Sequence, residues 1–329
     1  MVNAGKRARL AALLLFSGIL LLGAAPTTQS AATATLQPEA TAGSTATPQS
    51  TSAADETIVE EPDQGYWFYE SKSQGIRIEI TRHEDTDNTI LWYEADLRFA
   101  EQSPLQFLVA NEDKPGKGFY YPERLIRDHK AVFGINDDQF GHRVYNHDTT
   151  GIIIRNGVAL YTKTNSSGNL GWPTLDTAAF FPDGTMRVFA SEDHTADEYL
   201  QMGAQTVLSF GPWLVKDGET NPLLAKYFKT REPRSAIGMV EPYHFVVVSV
   251  EGREKRSRGV GVQWLADRMQ ELHATEAMNL DGGKTCCIVF MGKKLDTTNP
   301  TGAVRSGRSV SGMIALGTSE QVPDYTGLE

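Results

Sequence analysis

The sequence predicts an α+β fold: one main domain built on a mixed, hairpin-rich sheet with a few helices. Many short runs alternate apolar and polar residues with the period of a β-strand. Several of these runs are joined by turn sequences such as Asn156-Gly157, and only two segments carry a helical pattern. The chain has 329 residues, 40% of them hydrophobic and 22% charged, which is typical of a globular protein.

The N-terminal 57 residues are predicted to lie outside this domain. Residues 1–25 carry three basic residues and then the apolar run 10–22, which is the pattern of a signal peptide or, if uncleaved, a signal anchor. Residues 26–57 are almost wholly Thr, Ala, Ser, Pro and Gln, a composition that cannot form a core and predicts a disordered spacer. The protein is therefore expected to be secreted or extracytoplasmic, in the cell envelope, with membrane contact only through the N-terminal segment.

The folded part is expected to begin near Gln64, and residues 64–129 form its β-rich N-terminal part. Its predicted elements are an edge strand at 66–69, a hairpin of 75–80 with 90–99, a strand at 105–110, and a short helix at 122–129 with proline in its first turn.

Residues 130–317 form the predicted core of the domain, and residues 318–329 a C-terminal tail. Strands are predicted at 131–135, 206–210, 213–215, 234–239, 244–250 and 309–316, with hairpins at 152–161 and 178–189 and an acidic loop at 193–198. The valine-rich strand 244–250 is expected at the centre of a sheet. The segment 261–273 is the clearest helix, because Val262, Leu265, Met269 and Leu272 share one face, and it is expected to carry a crossover connection.

The rest of the chain is organised around residues 276–290, where two apolar strands flank a polar turn that contains Gly282 and Gly283. One interpretation is an ordinary Asp-Gly hairpin turn. The other is a nest, in which exposed backbone N–H groups bind an anion. The turn runs into Cys286 and Cys287, the only cysteines, which are expected to be reduced strand residues on opposite faces; a strained vicinal disulfide is the alternative.

Several classes of function are excluded by composition and motifs. The net charge is −10 and no basic stripe is visible, so nucleic acid is not an expected partner. The chain lacks a G-x-S-x-G elbow, an H-E-x-x-H motif and a P-loop, and its cysteines lack the spacing of a metal site. What remains are polar residues at strand ends, and carboxylates, arginines and a glycine turn suit a substrate that carries phosphate beside a sugar. These residues are Asn136, Asp137, Asp138, Arg234, Asn279, Asp281, Gly282, Gly283 and Arg308.

Five motifs in one order make the chain resemble the phosphodiester glycosidases, whose bacterial members are secreted or face the cell wall and are associated with exopolysaccharide. The family's Asn-Gly-Gly-Phe-Phe, Gly-Pro-x-Leu-Val, Pro-Arg-Thr-Ala-Ile-Gly, Asn-Leu-Asp-Gly-Gly-Gly-Ser and Arg-x-Val-Ser segments correspond here to residues 136–140, 211–215, 233–238, 279–285 and 308–311. Two departures stand out. Asp137 and Asp138 replace two glycines, and Lys284 replaces a third.

The resemblance implies an exported hydrolase that cleaves the bond between sugar and phosphate in a sugar-1-phosphodiester. It implies that Asp281 is the catalytic carboxyl, with Asn279 and Asn136 beside it, and that the substrate is held by Arg234, Gly282, Gly283, Thr285, Asp138 and Arg308. No cofactor or metal site is expected, although Asp137 and Asp138 could recruit a divalent cation. The alternative is a non-catalytic envelope module that binds an anionic polysaccharide, which the two extra carboxylates and Lys284 would favour.

Overall fold

Three antiparallel sheets and three short helices make up the part of the chain that the computed structural model describes, residues 55–140, 151–163, 174–224, 229–296 and 308–326. The strands are β1 Glu56–Glu61, β2 Tyr66–Ser71, β3 Ile76–Asp85, β4 Ile90–Arg98, β5 Gln106–Val109, β6 Ala131–Asn136, β7 Gly151–Arg155, β8 Val158–Lys163, β9 Asp176–Phe180, β10 Met186–Phe189, β11 Thr206–Phe210, β12 Trp213–Lys216, β13 Glu219–Thr220, β14 Arg234–Glu241, β15 His244–Val250, β16 Glu276–Asn279, β17 Ile288–Phe290, β18 Lys293–Lys294 and β19 Gly312–Thr318. The helices are α1 Pro122–Asp128, α2 Ala196–Gln201 and α3 Val262–Glu271, and a single 3₁₀ turn spans Gly283–Thr285.

The first sheet has nine strands in the order β1-β2-β3-β4-β15-β14-β16-β12-β13. The second has the order β10-β9-β11-β7-β8, and the third the order β18-β17-β6-β19-β5. All strand pairs among the described residues are antiparallel. The fold is therefore rich in sheet with a few helices, which the α+β label describes only in part. The predicted mixed pairing is wrong, because no neighbouring strands of the described residues run parallel.

The core lies between the sheets. Its largest apolar cluster takes side chains from all three, including Phe245 from the first, Phe210 from the second and Phe133 from the third. A smaller cluster covers the opposite face of each sheet, where α3, α2 and α1 pack on the first, second and third sheet. The central strands of each sheet thus have two buried faces, which explains why β6, β7, β11 and β15 are buried along their whole length and are mostly apolar.

Helix α3 carries the predicted crossover. It connects β15 to β16, which lie on either side of β14 and are both antiparallel to it, so the chain passes over β14 between two strands of the same direction. This connection brings the end of β16 next to the beginning of β14. It therefore sets the position of the Gly282-Gly283 turn.

The structure confirms one predicted hairpin and one central strand, and it corrects one predicted edge strand and one predicted loop. Asn156 and Gly157 both have positive φ, as a type I′ hairpin requires, and β15 is central in its sheet. The strand at Tyr66 is not an edge, because β1 pairs beside it. Helix α2 replaces the predicted acidic loop, and a capping box between Thr195 and Glu198 explains where it begins.

The predicted domain limits shift at both ends. The signal segment and most of the spacer lie outside the described residues, but β1 begins at Glu56, within the range assigned to the spacer and ahead of Gln64. At the other end, Val322 is fully buried in the core although it belongs to the predicted tail. Among the described residues, no helix is long and apolar enough to cross a membrane.

Removing β1 is expected to destabilise the fold. Glu56 accepts hydrogen bonds from Tyr69 at 3.1 Å and from Ser319 at 2.7 Å, so β1 links β2 to the segment after β19. A fragment that begins at residue 62 should melt at least ~5 °C below one that begins at residue 55, because it loses a strand and uncovers Tyr69. Thermal unfolding of the two fragments measures this, and equal melting temperatures would show that β1 contributes nothing.

Candidate functional site

The polar residues selected from the sequence meet where the three sheets join. Asn136, at the end of β6 in the third sheet, is fully buried and connects it to the first sheet. Its Oδ1 accepts from the Ser235 hydroxyl at 2.8 Å and from the Cys287 N–H at 3.1 Å, and its Nδ2 donates to the Asp281 carbonyl at 2.7 Å. Asn136 therefore positions the turn and is not placed to contact substrate through a free polar atom.

Asp281 follows β16 and is held by its backbone. Its N–H donates to the Asp137 carbonyl at 3.2 Å, and its carboxylate accepts from the N–H of Gly282 at 2.9 Å. The residue is buried, with 8% of its surface exposed. The hydrogen bond from Gly282 fixes the orientation of the carboxylate.

The pairing of β14 with β16, extended beyond its last pair, indicates that Asp281 and Arg234 share one face of the first sheet. In the pairing of β14 with β16, Ala236 is opposite Asn279, and the hydrogen bond from the Leu280 N–H to the Ser235 carbonyl continues that register. One step further puts Arg234 opposite Asp281. The two residues, 47 positions apart in sequence, are therefore neighbours across two strands.

Arg234 is a buried arginine whose guanidinium has no carboxylate partner among the described residues. It is 6% exposed, and within the described part of the chain its guanidinium donates to two backbone carbonyls, those of Val260 and Thr230, both at 3.2 Å. Burial lowers the pKa of Arg234 from its ordinary value, but arginine remains protonated at all physiological pH values. Since buried charges are normally paired, this one is suited to an anion supplied from outside the chain.

Two further buried atoms at the two ends of the turn have no hydrogen-bond partner among the described residues, the Oδ1 of Asn279 and the hydroxyl of Thr285. The Asn279 amide is oriented by its Nδ2, which donates to the Gly211 carbonyl at 2.7 Å. A buried acceptor and a buried hydroxyl left unpaired are costly, and a ligand that carries both hydroxyl and phosphate oxygens would satisfy them.

The glycine turn is not an open anion nest, contrary to the prediction. The N–H of Gly282 donates to Asp281 and that of Gly283 donates to the Pro233 carbonyl at 3.0 Å, so both groups are already used. It is not a hairpin turn either, because β16 and β17 belong to different sheets. Gly283 has φ 61°, whereas Gly282 has φ −127°, so only the second glycine occupies the left-handed region.

Gly282 is needed for packing. A Cβ at this position would lie 2.6 Å from the Pro233 carbonyl oxygen, which is backbone and cannot move freely. We expect Gly282→Ala to lower the free energy of unfolding by about 1–3 kcal/mol. Chemical denaturation measures the loss. An unchanged free energy of unfolding in Gly282→Ala would contradict the packing explanation.

The two aspartates that replace family glycines form a buried ionic cluster with Arg155. The Arg155 Nη2 lies 2.9 Å from Asp138 and 3.4 Å from Asp137, and Asp138 also accepts from the Ser209 N–H at 2.9 Å. The sequence had suggested a divalent cation for this charge, whereas in the structure Arg155 supplies a positive charge there. Among the described residues, no three His, Cys, Asp or Glu side chains form a cluster that could hold a metal ion.

Arg308 and Arg253 border the turn from the outside. Arg308 is exposed, and its N–H donates to the Lys284 carbonyl at 3.3 Å. Arg253, which sequence reasoning missed, places its Nη2 3.3 Å from where a Cβ on Gly283 would lie and forms an ion pair with Glu232 at 2.6 Å. Neither Arg253 nor Arg155 belongs to a recognisable motif, so only the fold brings them here.

Both cysteines are free and buried. The Cys286 thiol lies 3.1 Å from the Ser235 hydroxyl, whereas Cys287 packs in the apolar cluster under α1. They are reduced and point in different directions, as predicted, but they lie just before β17 and not in a strand. Burial raises the pKa of Cys286 to about 12 and that of Cys287 well above its ordinary value.

The thiols are therefore expected to be unreactive in the folded protein. At pH 8, below the raised pKa of Cys286, both remain protonated, and the thiolate is the nucleophile. A disulfide reagent such as Ellman's should titrate no thiol in the native protein and two after unfolding in urea. Rapid native reaction of either cysteine would contradict the burial described here.

Comparison with known proteins decides the family. The model of the phosphodiester glycosidase family matches residues 129–316, more than half of the chain. The chain belongs to the phosphodiester glycosidase family.

Two relatives of this family member are informative. An uncharacterized SPbeta prophage-derived protein, YomE, of Bacillus subtilis (strain 168) is 31% identical over 156 residues, which cover 46% of this chain and 23% of the relative. The chain thus spans about a quarter of that relative's length. The catalytic domain of zebrafish N-acetylglucosamine-1-phosphodiester alpha-N-acetylglucosaminidase, auto-inhibited by its pro-peptide, is similar in fold, with a TM-score of 0.58 and 18% identity over 76% of this chain and 86% of that domain.

Proposed function

We propose that this phosphodiester glycosidase hydrolyses the bond between sugar and phosphate in a sugar-1-phosphodiester of an envelope or extracellular glycan. One observation carries the proposal: the buried guanidinium of Arg234 has no carboxylate partner among the described residues, and the register of β14 with β16, extended beyond its last pair, brings Asp281 beside it. The guanidinium of Arg234 suits a phosphate, and the carboxyl group of Asp281 suits cleavage of a glycosidic bond. The zebrafish enzyme of similar fold is named for an activity of the same class.

The residues divide between the two halves of such a substrate. Arg234 and the Thr285 hydroxyl bind phosphate oxygens, and the unpaired Oδ1 of Asn279 accepts from a sugar hydroxyl. Water adds to the anomeric carbon as the bond to the phosphate oxygen breaks, and the products are the free sugar and a phosphomonoester. Because that leaving group has a second pKa of about 6, the charge of Arg234 can stabilise it, and Asp281 acts on the sugar side of the bond.

The ionic cluster bears on the alternative, a non-catalytic module that binds an anionic polysaccharide. Asp137 and Asp138 favoured that function because the charge and bulk that they add in place of two glycines would disturb a catalytic pocket. In the structure both carboxylates are buried and share the guanidinium of Arg155, which offsets part of this charge. This partial neutralisation supports the hydrolase over the non-catalytic module.

A nitrophenyl sugar-1-phosphodiester tests the proposal. Cleavage at the sugar releases nitrophenyl phosphate, which becomes coloured only after added phosphatase, whereas cleavage at phosphorus releases nitrophenol directly. We expect colour that depends on phosphatase for at least one sugar in a panel. Direct colour would identify a phosphodiesterase, and binding without turnover of any sugar would favour the alternative.

A further inference from the structure

Two segments that are distant in sequence form one basic surface beside the candidate site. Residues 229–234 and 251–260 pair through two backbone hydrogen bonds between Glu232 and Val260, at 3.1 and 3.0 Å. Together they contain seven basic residues and three acidic ones, an excess of four positive charges in a chain whose net charge is −10. This basic surface is invisible in the linear sequence, because its halves are separated by β14 and β15.

Much of this charge is exposed and not paired within the protein. Arg253 and Arg256 form ion pairs with Glu232 and with Glu251 and Glu254. The side chains of four other exposed basic residues form no ion pair in the described part of the chain, and these are Lys229, Arg231, Lys255 and Arg258. Unpaired cations of one sign on one surface attract a polyanion.

The basic surface is continuous with the turn that holds Asp281. Pro233, in its first segment, accepts the hydrogen bond of Gly283, and Arg253, in its second, lies against the same glycine. A polymer bound along the surface would therefore lead directly to Arg234, which ends the first segment.

We propose that the substrate is a long glycan whose units are joined by sugar-1-phosphodiester bonds, and that the basic surface binds the phosphates beyond the one being cleaved. This inference rests on the proposed function and adds the substrate's polymeric nature to it. A nucleic acid is also a polyanion, but neither segment contains an aromatic residue on which a base could stack. The chemistry of the adjoining site, a carboxylate beside an arginine, also suits a sugar.

The test compares a long phosphodiester-linked polysaccharide with its single repeating unit, using the full chain. In the variant Lys255→Gln with Arg258→Gln, KM for the polymer should rise about tenfold at low salt, and KM for the single unit should not change. The control variant Lys72→Gln with Lys114→Gln removes the same charge from exposed turns outside the surface and should leave both values unchanged. Wild-type KM for the polymer should also rise steeply with salt concentration.

The outcomes separate this inference from the proposed function. Equal KM values for polymer and single unit, or no effect of the double variant, would overturn the basic surface while leaving the glycosidase intact. Single-stranded DNA that competes as well as the polymer would overturn its assignment to a glycan. If neither substrate is hydrolysed, the proposed function fails. The basic surface is then tested by calorimetry, and polymer binding that is weakened only in the Lys255/Arg258 variant would still support it.

Discussion

Asp281→Asn is expected to reduce turnover of a sugar-1-phosphodiester by about 10³-fold or more while the protein stays folded. The substitution keeps the acceptor oxygen that holds the Gly282 N–H at 2.9 Å, so the turn can persist. It removes the only carboxylate that the register places opposite Arg234. Substrate binding should be unchanged or tighter, because a negative charge next to an anionic substrate is deleted.

A matched control distinguishes catalysis from turn capping. Asp183 also caps its own turn, accepting from the Thr185 N–H at 3.1 Å, but it lies in an exposed hairpin loop. Asp183→Asn should leave turnover unchanged. If Asp281→Asn hydrolyses substrate at the parental rate, its role is limited to capping, and the catalytic assignment is wrong.

Arg234→Lys is expected to reduce kcat/KM by roughly a hundredfold, the scale of losing one preorganised donor to a transition-state charge. Lysine keeps the charge but loses the planar fork that binds two phosphate oxygens together. It also cannot satisfy the Val260 and Thr230 carbonyls in the same geometry.

The control here is Arg231→Lys, three residues earlier. Arg231 likewise donates to backbone carbonyls, those of Gly259, Asn88 and Thr89, but it is exposed. With a single-unit substrate its replacement should alter kcat/KM only slightly. Similar losses for the two variants would mean that Arg234 is structural, and circular dichroism would check that both remain folded.

The sequence predicted local structure better than the way strands combine. The β7–β8 hairpin and the helix α3 follow from patterns within a few residues, Asn156-Gly157 and the apolar face of 262–272. The pairing of β1 with β2 and the assignment of β16 and β17 to different sheets depend on long-range contacts, which no local pattern specifies. The central strands are also buried on both faces, so their sequences lack the alternation of apolar and polar residues that marks a half-exposed strand.

The candidate site was predictable only where family motifs exist. Asp281, Asn279 and Arg234 were selected from motifs, and the structure brings them together at the ends of β16 and β14. Arg155 and Arg253 were missed because an isolated arginine carries no sequence signal until its neighbours are known. The glycine nest was wrong for a similar reason, since the Pro233 carbonyl that takes the Gly283 N–H comes from another strand.

The shared guanidinium of Arg155 has an evolutionary consequence. Arg155 is buried, its other contacts are the Ile154 and Val207 carbonyls and the ring of Phe140, and the carboxylates that neutralise it are Asp137 and Asp138. Replacing both aspartates by the family's glycines would leave a buried cation without its anions, at a cost of several kcal/mol. The three positions should therefore change together in descent, so that arginine at position 155 accompanies the acidic pair and is absent from lineages that keep the two glycines.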